Sequence, residues 1–222
     1  MAQTILIAGK TGTGKTTAIR TLNPKETVIL RVIKRTLPFK FKGMYVEGKN
    51  LIHTPTYEDV IKWIDLVDKK GPNIKNLVIT DGTYIMRQEF FKKANIKGYD
   101  KFTEFGMHMQ QVLRRIQEAR ENLKVFLEFH VDTDDAGASY KASTVGKLID
   151  EKYNVFENVD IILFASPMYE DKESKYGFYT NHTLDRAGVE IPAKSPAEMF
   201  DELFIPNDLA LVAKKIDEYY AE

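Results

Sequence analysis

The run Gly9-Lys10-Thr11-Gly12-Thr13-Gly14-Lys15-Thr16 constrains this chain more than any other feature. It fits the spacing G-x-x-x-x-G-K-[ST]; an apolar stretch over residues 4–8 precedes it and Thr17-Ala18-Ile19-Arg20, helical in character, follows. A strand, a glycine-rich turn and a helix in that order form a cradle for phosphate. The glycines allow backbone angles that aim successive N–H groups inward. The helix N-terminus adds its partial positive charge. In this pattern Lys15 reaches the β- and γ-phosphates of a nucleotide, and the Thr16 hydroxyl ligates Mg²⁺. The sequence therefore nominates Gly9, Lys10, Thr11, Gly12, Thr13, Gly14, Lys15, Thr16 and Thr17 as contacts for ATP, with Mg²⁺ as its companion ion.

Apolar runs of strand length recur over residues 27–33, 77–81, 125–130 and 159–165, each ending in a turn or a polar group, as buried parallel strands do. Segments with helical spacing lie between them. Residues 56–68 open with Thr-x-x-Asp and carry Tyr57, Val60, Ile61, Ile64 and Val67 on one stripe. Phe102, Phe105, Met109, Val112, Leu113 and Ile116 make a second stripe. Leu209, Val212, Ile216 and Tyr219 make a third, with Asn207 as its expected N-cap. Strands alternating with helices predict an α/β fold, a three-layer P-loop domain around a mainly parallel central sheet. A length of 222 residues predicts one domain over 1–222. Residues 31–49 are basic and irregular, and residues 132–144, rich in Asp, Gly, Ser and Thr, read as a mobile loop.

Composition narrows the chemistry. The chain has no cysteine, which excludes disulfides, Cys-ligated metals and thiol catalysis. Lys and Arg number 32 and so do Asp and Glu, so no global field steers the chain to DNA or to a membrane. Zero net charge also lowers the barrier to self-association. No apolar run reaches the roughly 18 residues that span a bilayer. The start Met-Ala-Gln-Thr-Ile-Leu lacks a basic leader. A cytoplasmic protein without a membrane partner is expected.

Three residues beyond the loop are candidates for chemistry. Leu77-Val78-Ile79-Thr80-Asp81 is an apolar strand ending in a carboxylate, and Asp81 is placed to hold a Mg²⁺ shell beside Thr16; a turn at Asp81-Gly82 is the plainer reading. In Val125-Phe126-Leu127-Glu128-Phe129-His130, alternation puts Phe126, Glu128 and His130 on one face. A carboxylate in mid-strand is expensive unless paired. Glu128 is a candidate base or a structural ion-pair partner, and His130 a γ-phosphate contact or a strand cap. Lys15, Glu128 and His130 are thus the candidate catalytic set.

The order of these elements resembles the single-domain RecA-like ATP-binding proteins of bacteriophages, some of which act in single-strand annealing and recombination. Its markers are the N-terminal loop, the Asp81 strand, the His130 strand, a Gly146-Lys147 segment, Ala193-Lys194-Ser195-Pro196 and Asn207-Asp208-Leu209. The resemblance implies a RecA-like core in which the His130 strand lies between the loop strand and the Asp81 strand. It implies a Mg²⁺-dependent ATPase, a homo-oligomer, and single-stranded DNA as a partner. It also implies a cation from a neighbouring subunit, for which Lys141, Lys147, Arg186 and Lys194 are candidates. One departure stands out: such ATPases usually end their second strand with a catalytic Glu, whereas this strand runs Val28-Ile29-Leu30-Arg31-Val32-Ile33-Lys34. Glu128 is the substitute, and Glu47 a weaker one. Arg31, Lys34, Arg35, Lys40 and Lys42, with Phe39 and Phe41 between them and no acid, suit a single-strand stacking groove or an ordinary solvated loop. Arg87, Lys92, Lys93, Lys97 and Lys101, near Phe90, Phe91 and Tyr99, form a second cluster. Two other readings stay open: a P-loop nucleotide or nucleoside kinase, and a non-hydrolysing nucleotide switch or structural phage component.

Overall fold

A computed structural model describes residues 2–98, 100–145, 154–170 and 173–221. Tyr99, Gly146 and Lys147 lie outside them. The strands are β1 Gln3–Ala8, β2 Thr27–Arg31, β3 Leu51–His53, β4 Asn76–Thr80, β5 Lys124–Phe129, β6 Val131–Thr133, β7 Tyr140–Ala142, β8 Ile161–Glu170, β9 Glu173–Tyr179, β10 Thr183–Leu184, β11 Glu190–Ile191 and β12 Phe204–Pro206. The helices are α1 Tyr57–Lys70, α2 Thr83–Lys92, α3 Asp100–Gln117 and, last in the chain, α4 Leu209–Tyr219.

Eight strands form one sheet in the order β12-β9-β8-β1-β5-β4-β2-β3. The run from β8 to β3 is parallel throughout, and β9 and β12 extend it through antiparallel pairings. β2, β4 and β5 are buried along their whole length, which is why each reads as an unbroken apolar run. Alternation divides the core between two faces. Leu6, Ala8, Leu127 and Phe129 pack with Val60 and Ile64 of α1, Met86 of α2 and Met109 and Val112 of α3. Ile5, Ile7 and Phe126 pack on the other side with Ala18, Ile19 and the α4 residues Leu209, Val212 and Ile216. The result is a three-layer P-loop fold of RecA-like order, with β5 between β1 and β4 as the resemblance implies.

Several expectations require correction. The segment after the phosphate loop is a six-residue 3-10 helix, Thr16–Thr21, not a full α-helix; Pro24 follows closely and disfavours continuation. The α4 cap is Asp208, whose Oδ1 accepts from the Leu211 N–H at 2.9 Å, and Asn207 is free for other work. Residues 132–144 are not irregular: β6 and β7 pair as a hairpin, its turn closed by the Ala138 N–H donating to Asp134 Oδ1 at 2.7 Å. β8 runs past residue 165, and Pro167 lies beyond Phe164, its last partnered residue on β1, so the missing N–H breaks no ladder on that side. Thr56 caps α1 as its sequence suggests, accepting from the Asp59 N–H.

The antiparallel wing depends on a close backbone approach. A Cβ on Gly177 of β9 would lie 2.3 Å from the Ile205 carbonyl oxygen and 2.5 Å from the Phe204 ring. Gly177→Ala is expected to destabilise the fold by about 1–3 kcal/mol, since overpacking forces backbone shifts. Urea denaturation checks this; unchanged stability would mean that β9 and β12 do not pair in this register.

Candidate nucleotide-binding site

The carboxyl ends of β1, β5 and β4 open into a cleft of about 460 Å³. Ligands of open α/β sheets collect at this end of the strands. The loop after β1 forms one wall. Gly14 has φ of 89°, and a Cβ there would meet Asn207 Nδ2 at 3.1 Å and the Tyr176 ring at 3.2 Å. Backbone freedom and close approach both demand glycine at this position. Thr13 Oγ1 donates to the Lys10 carbonyl at 2.8 Å and braces the turn. Lys15 Nζ donates to the carbonyls of Gly9 and Lys10, both at 2.7 Å.

Glu128 is the floor of the cleft. It is 3% exposed, and its Oε2 accepts from Thr16 Oγ1 at 2.7 Å. Its Oε1 is buried with no hydrogen-bond partner among the described residues. A hydroxyl that donates to a carboxylate keeps its lone pairs for another ligand. Burial pushes the Glu128 carboxyl up to about 7; the Thr16 bond, Lys15 and the Asp81 backbone N–H oppose this, and the Asp81 charge adds to it. Burial likewise brings Lys15 down to about 8, against the pull of Glu128 and Asp81.

Asp81 lines the same cleft as Thr16, and the Thr16 hydroxyl is hydrogen-bonded to Glu128. Asp81 Oδ1 faces Arg35 at 3.6 Å and His130 Nε2 at 3.9 Å. Its φ of 57° is left-handed, a conformation that Asp tolerates better than most residues. The following Gly82 N–H donates to the Glu128 carbonyl at 2.9 Å, tying the β4 tip to β5. His130 lines the cleft, held by its own N–H on Thr83 Oγ1 at 2.8 Å and by the edge of Tyr84.

Gly12, Thr11, Thr13 and Thr17 also line the cleft. Lys10 instead has its ammonium 4.9 Å from the centre of the Tyr140 ring. Sequence reasoning did not assign Arg20, Arg35, Pro38, Phe129, Tyr176 or Asn207 to the cleft, and all six line it. Asn207 Nδ2 donates to the Gly14 carbonyl at 3.0 Å, and its Oδ1 accepts from Arg20 at 2.7 Å. Tyr176 stands against Gly14, and Arg35 against Asp81. Asn207 stands in one of the segments that carry the resemblance and Arg35 in the basic run, but neither signal points to this cleft, and no local signal marks Tyr176.

The basic clusters divide. Arg31 is buried and ion-paired with Glu47, which takes Glu47 away from the cleft. Phe39 and Phe41 pack edge to face and lie partly buried against the second core. Lys93 is engaged by Glu89 and Glu104. Lys141, Arg186 and Lys194 are outside the cleft lining.

Sheet order and phosphate loop together define a RecA-like P-loop NTPase. A family model described as an AAA domain matches residues 1–188, and the chain belongs to that family of nucleotide-binding ATPases. Among solved structures, a KaiC-like protein of the archaeon Pyrococcus horikoshii OT3 aligns at 14% identity and a TM-score of 0.47, covering 79% of this chain and 77% of that one. No curated protein matches the chain. Among the described residues no helix is long and apolar enough to cross a membrane.

The raised Glu128 carboxyl has a thermodynamic consequence. The folded state disfavours the charged form, so this cost is absent below about pH 4.5 and complete above about pH 7. Glu128→Gln, which keeps the Thr16 acceptor, is expected to stabilise the nucleotide-free protein by about 2–3 kcal/mol at pH 8. The difference should close as pH falls to 4.5. Denaturation at both pH values measures it, and a destabilised variant at pH 8 would mean that Lys15 more than repays the burial.

Proposed function

We propose that this chain is a Mg²⁺-dependent ATPase, one nucleotide-binding unit across residues 1–222. The observation that carries the reading is the Glu128 carboxylate on the cleft floor, one oxygen on Thr16 and the other buried with no hydrogen-bond partner among the described residues. That donor set fits Mg²⁺. Thr16 Oγ1 would hold the ion directly, with its proton committed to Glu128, and Asp81 would take water in the outer shell. When bound, the ion would neutralise phosphate charge.

The backbone of Gly12, Thr13 and Gly14 cradles the phosphates, and Lys15 exchanges the Gly9 and Lys10 carbonyls for phosphate oxygens. Glu128 Oε1 accepts a hydrogen bond from the attacking water. As the water oxygen bonds to the γ-phosphorus, the bond to the bridging β–γ oxygen breaks and ADP leaves. The water proton passes to Glu128, whose raised affinity for protons suits a base working near neutrality. His130 faces the terminal phosphate. Tyr176 and Asn207, packed on Gly14, flank the nucleoside.

Lys15→Ala is expected to weaken ATP binding at least about tenfold. Glu128→Gln should keep that binding while lowering turnover by about 10²–10⁴. Calorimetry and phosphate release check the pair. Normal turnover in folded Glu128→Gln would remove the base assignment, and normal binding in Lys15→Ala would remove the site.

A role on single-stranded DNA, in recombination or annealing by a homo-oligomer, is the finer reading. Its support is the exposed set Lys34, Lys40 and Lys42, in a segment free of acids. If these three meet phosphates, their joint replacement by Ala should flatten the salt dependence of oligonucleotide binding, by about 0.7 in log–log slope per contact. An unchanged slope, or no binding at low salt, would leave a nucleotide switch or a kinase.

A further inference from the structure

We infer that Arg35 supplies, from within the same chain, the cation that meets the terminal phosphate, and that the buried guanidinium of Arg31 holds it in place. This rests on the nucleotide reading above and adds a residue outside the phosphate-loop motif.

The backbone leading to Arg35 is fixed from three sides. Arg31 Nη1 donates to the Arg35 carbonyl at 2.7 Å, while its Nη2 binds Glu47. Gln88 Nε2 donates to the Val32 carbonyl at 2.8 Å, and the Val32 N–H reaches the Thr80 carbonyl at 3.4 Å. The Arg35 N–H closes a tight turn on the Ile33 carbonyl at 2.8 Å. Arg31 itself is almost fully buried, so its planar fork serves as an internal strut and not as a surface charge.

The Arg35 side chain is the opposite case. It is 59% exposed, lies 5.5 Å from the centre of the Tyr84 ring, and reaches the cleft at Asp81. Its 3.6 Å contact with Asp81 is a charge contact, too long for a good hydrogen bond. Its guanidinium therefore stands at the cleft with a donor fork that suits two oxygens of one phosphate group. Across the same cleft, Lys15 faces the loop. A terminal phosphate between them draws Arg35 off Asp81 and leaves that carboxylate to the Mg²⁺ shell. ADP, lacking that phosphate, leaves the Arg35–Asp81 contact undisturbed.

Arg35 is the exposed member of its pair with the half-buried Asp81, and their 3.6 Å contact is long, so replacing Arg35 is expected to preserve the fold. Calorimetry with Mg²⁺ would compare ADP and a β,γ-imido ATP analogue on the parent, Arg35→Ala, Arg35→Lys and Lys15→Ala. Arg35→Ala should keep ADP affinity within about twofold and lose about tenfold or more for the analogue, with Arg35→Lys recovering part of it. Turnover of Arg35→Ala should fall about 10³-fold. Parent turnover per molecule should not change on dilution. Analogue affinity unchanged in Arg35→Ala, or both nucleotides weakened equally, would overturn this role while a defective Lys15→Ala preserved the nucleotide reading. If the parent bound neither nucleotide, both would fall.

Discussion

An ammonium and a carboxylate buried together under one turn of backbone set the terms for the rest of this molecule. Lys15 and Glu128 each pay a desolvation cost, and mutual attraction offsets only part of it. The remainder is met by hydrogen bonds: two carbonyls for Lys15 and the Thr16 hydroxyl for Glu128. Such a pair needs rigid support. It comes from the parallel register of β1 on β5, which sets Ile7 beside Glu128 and ends with Ala8 beside Phe129. Packed helices on both faces of the sheet keep those two strands in register.

The same logic extends outward. Asp81 adds a second carboxylate to a cleft that already holds Glu128, and it lies within charge range of Lys15 with Arg35 and His130 beside it. The left-handed backbone at Asp81 turns the chain sharply at the β4 tip, and the Gly82 N–H on β5 fixes the turn. Local strain of this kind persists only where neighbours over-determine the conformation. Here the strained residue, the buried carboxylate and the phosphate loop converge on one cleft.

The parallel strands and the phosphate loop were legible because their signals are local: apolar runs, glycine spacing and a lysine at a fixed offset. Alternation along residues 125–130 was enough to bring Glu128 and His130 to the cleft, and both line it. Other features depend on distant contacts and were misread or unseen. Asn207 looks like a helix cap because its side chain suits one, yet Asp208 takes that post and Asn207 reaches Gly14 instead. Arg31 and Arg35 look alike in a basic run, and only burial separates a strut from a cleft residue. The hairpin of β6 and β7 is too short and too polar for periodicity to reveal it. Tyr176 comes to the loop through the antiparallel wing, whose pairing crosses Pro167 and carries no motif.

The central claim is that the cleft over Glu128 is built for a nucleoside triphosphate and its metal. A crystal structure with a non-hydrolysable ATP analogue and Mg²⁺ tests it most directly. The account expects Lys15 to leave the Gly9 and Lys10 carbonyls for phosphate oxygens, Thr16 Oγ1 to ligate the metal, and Glu128 Oε1 to face a water in line with the γ-phosphorus. A nucleotide bound elsewhere, or bound here with Lys15 still on those carbonyls and no water at Glu128, would contradict it.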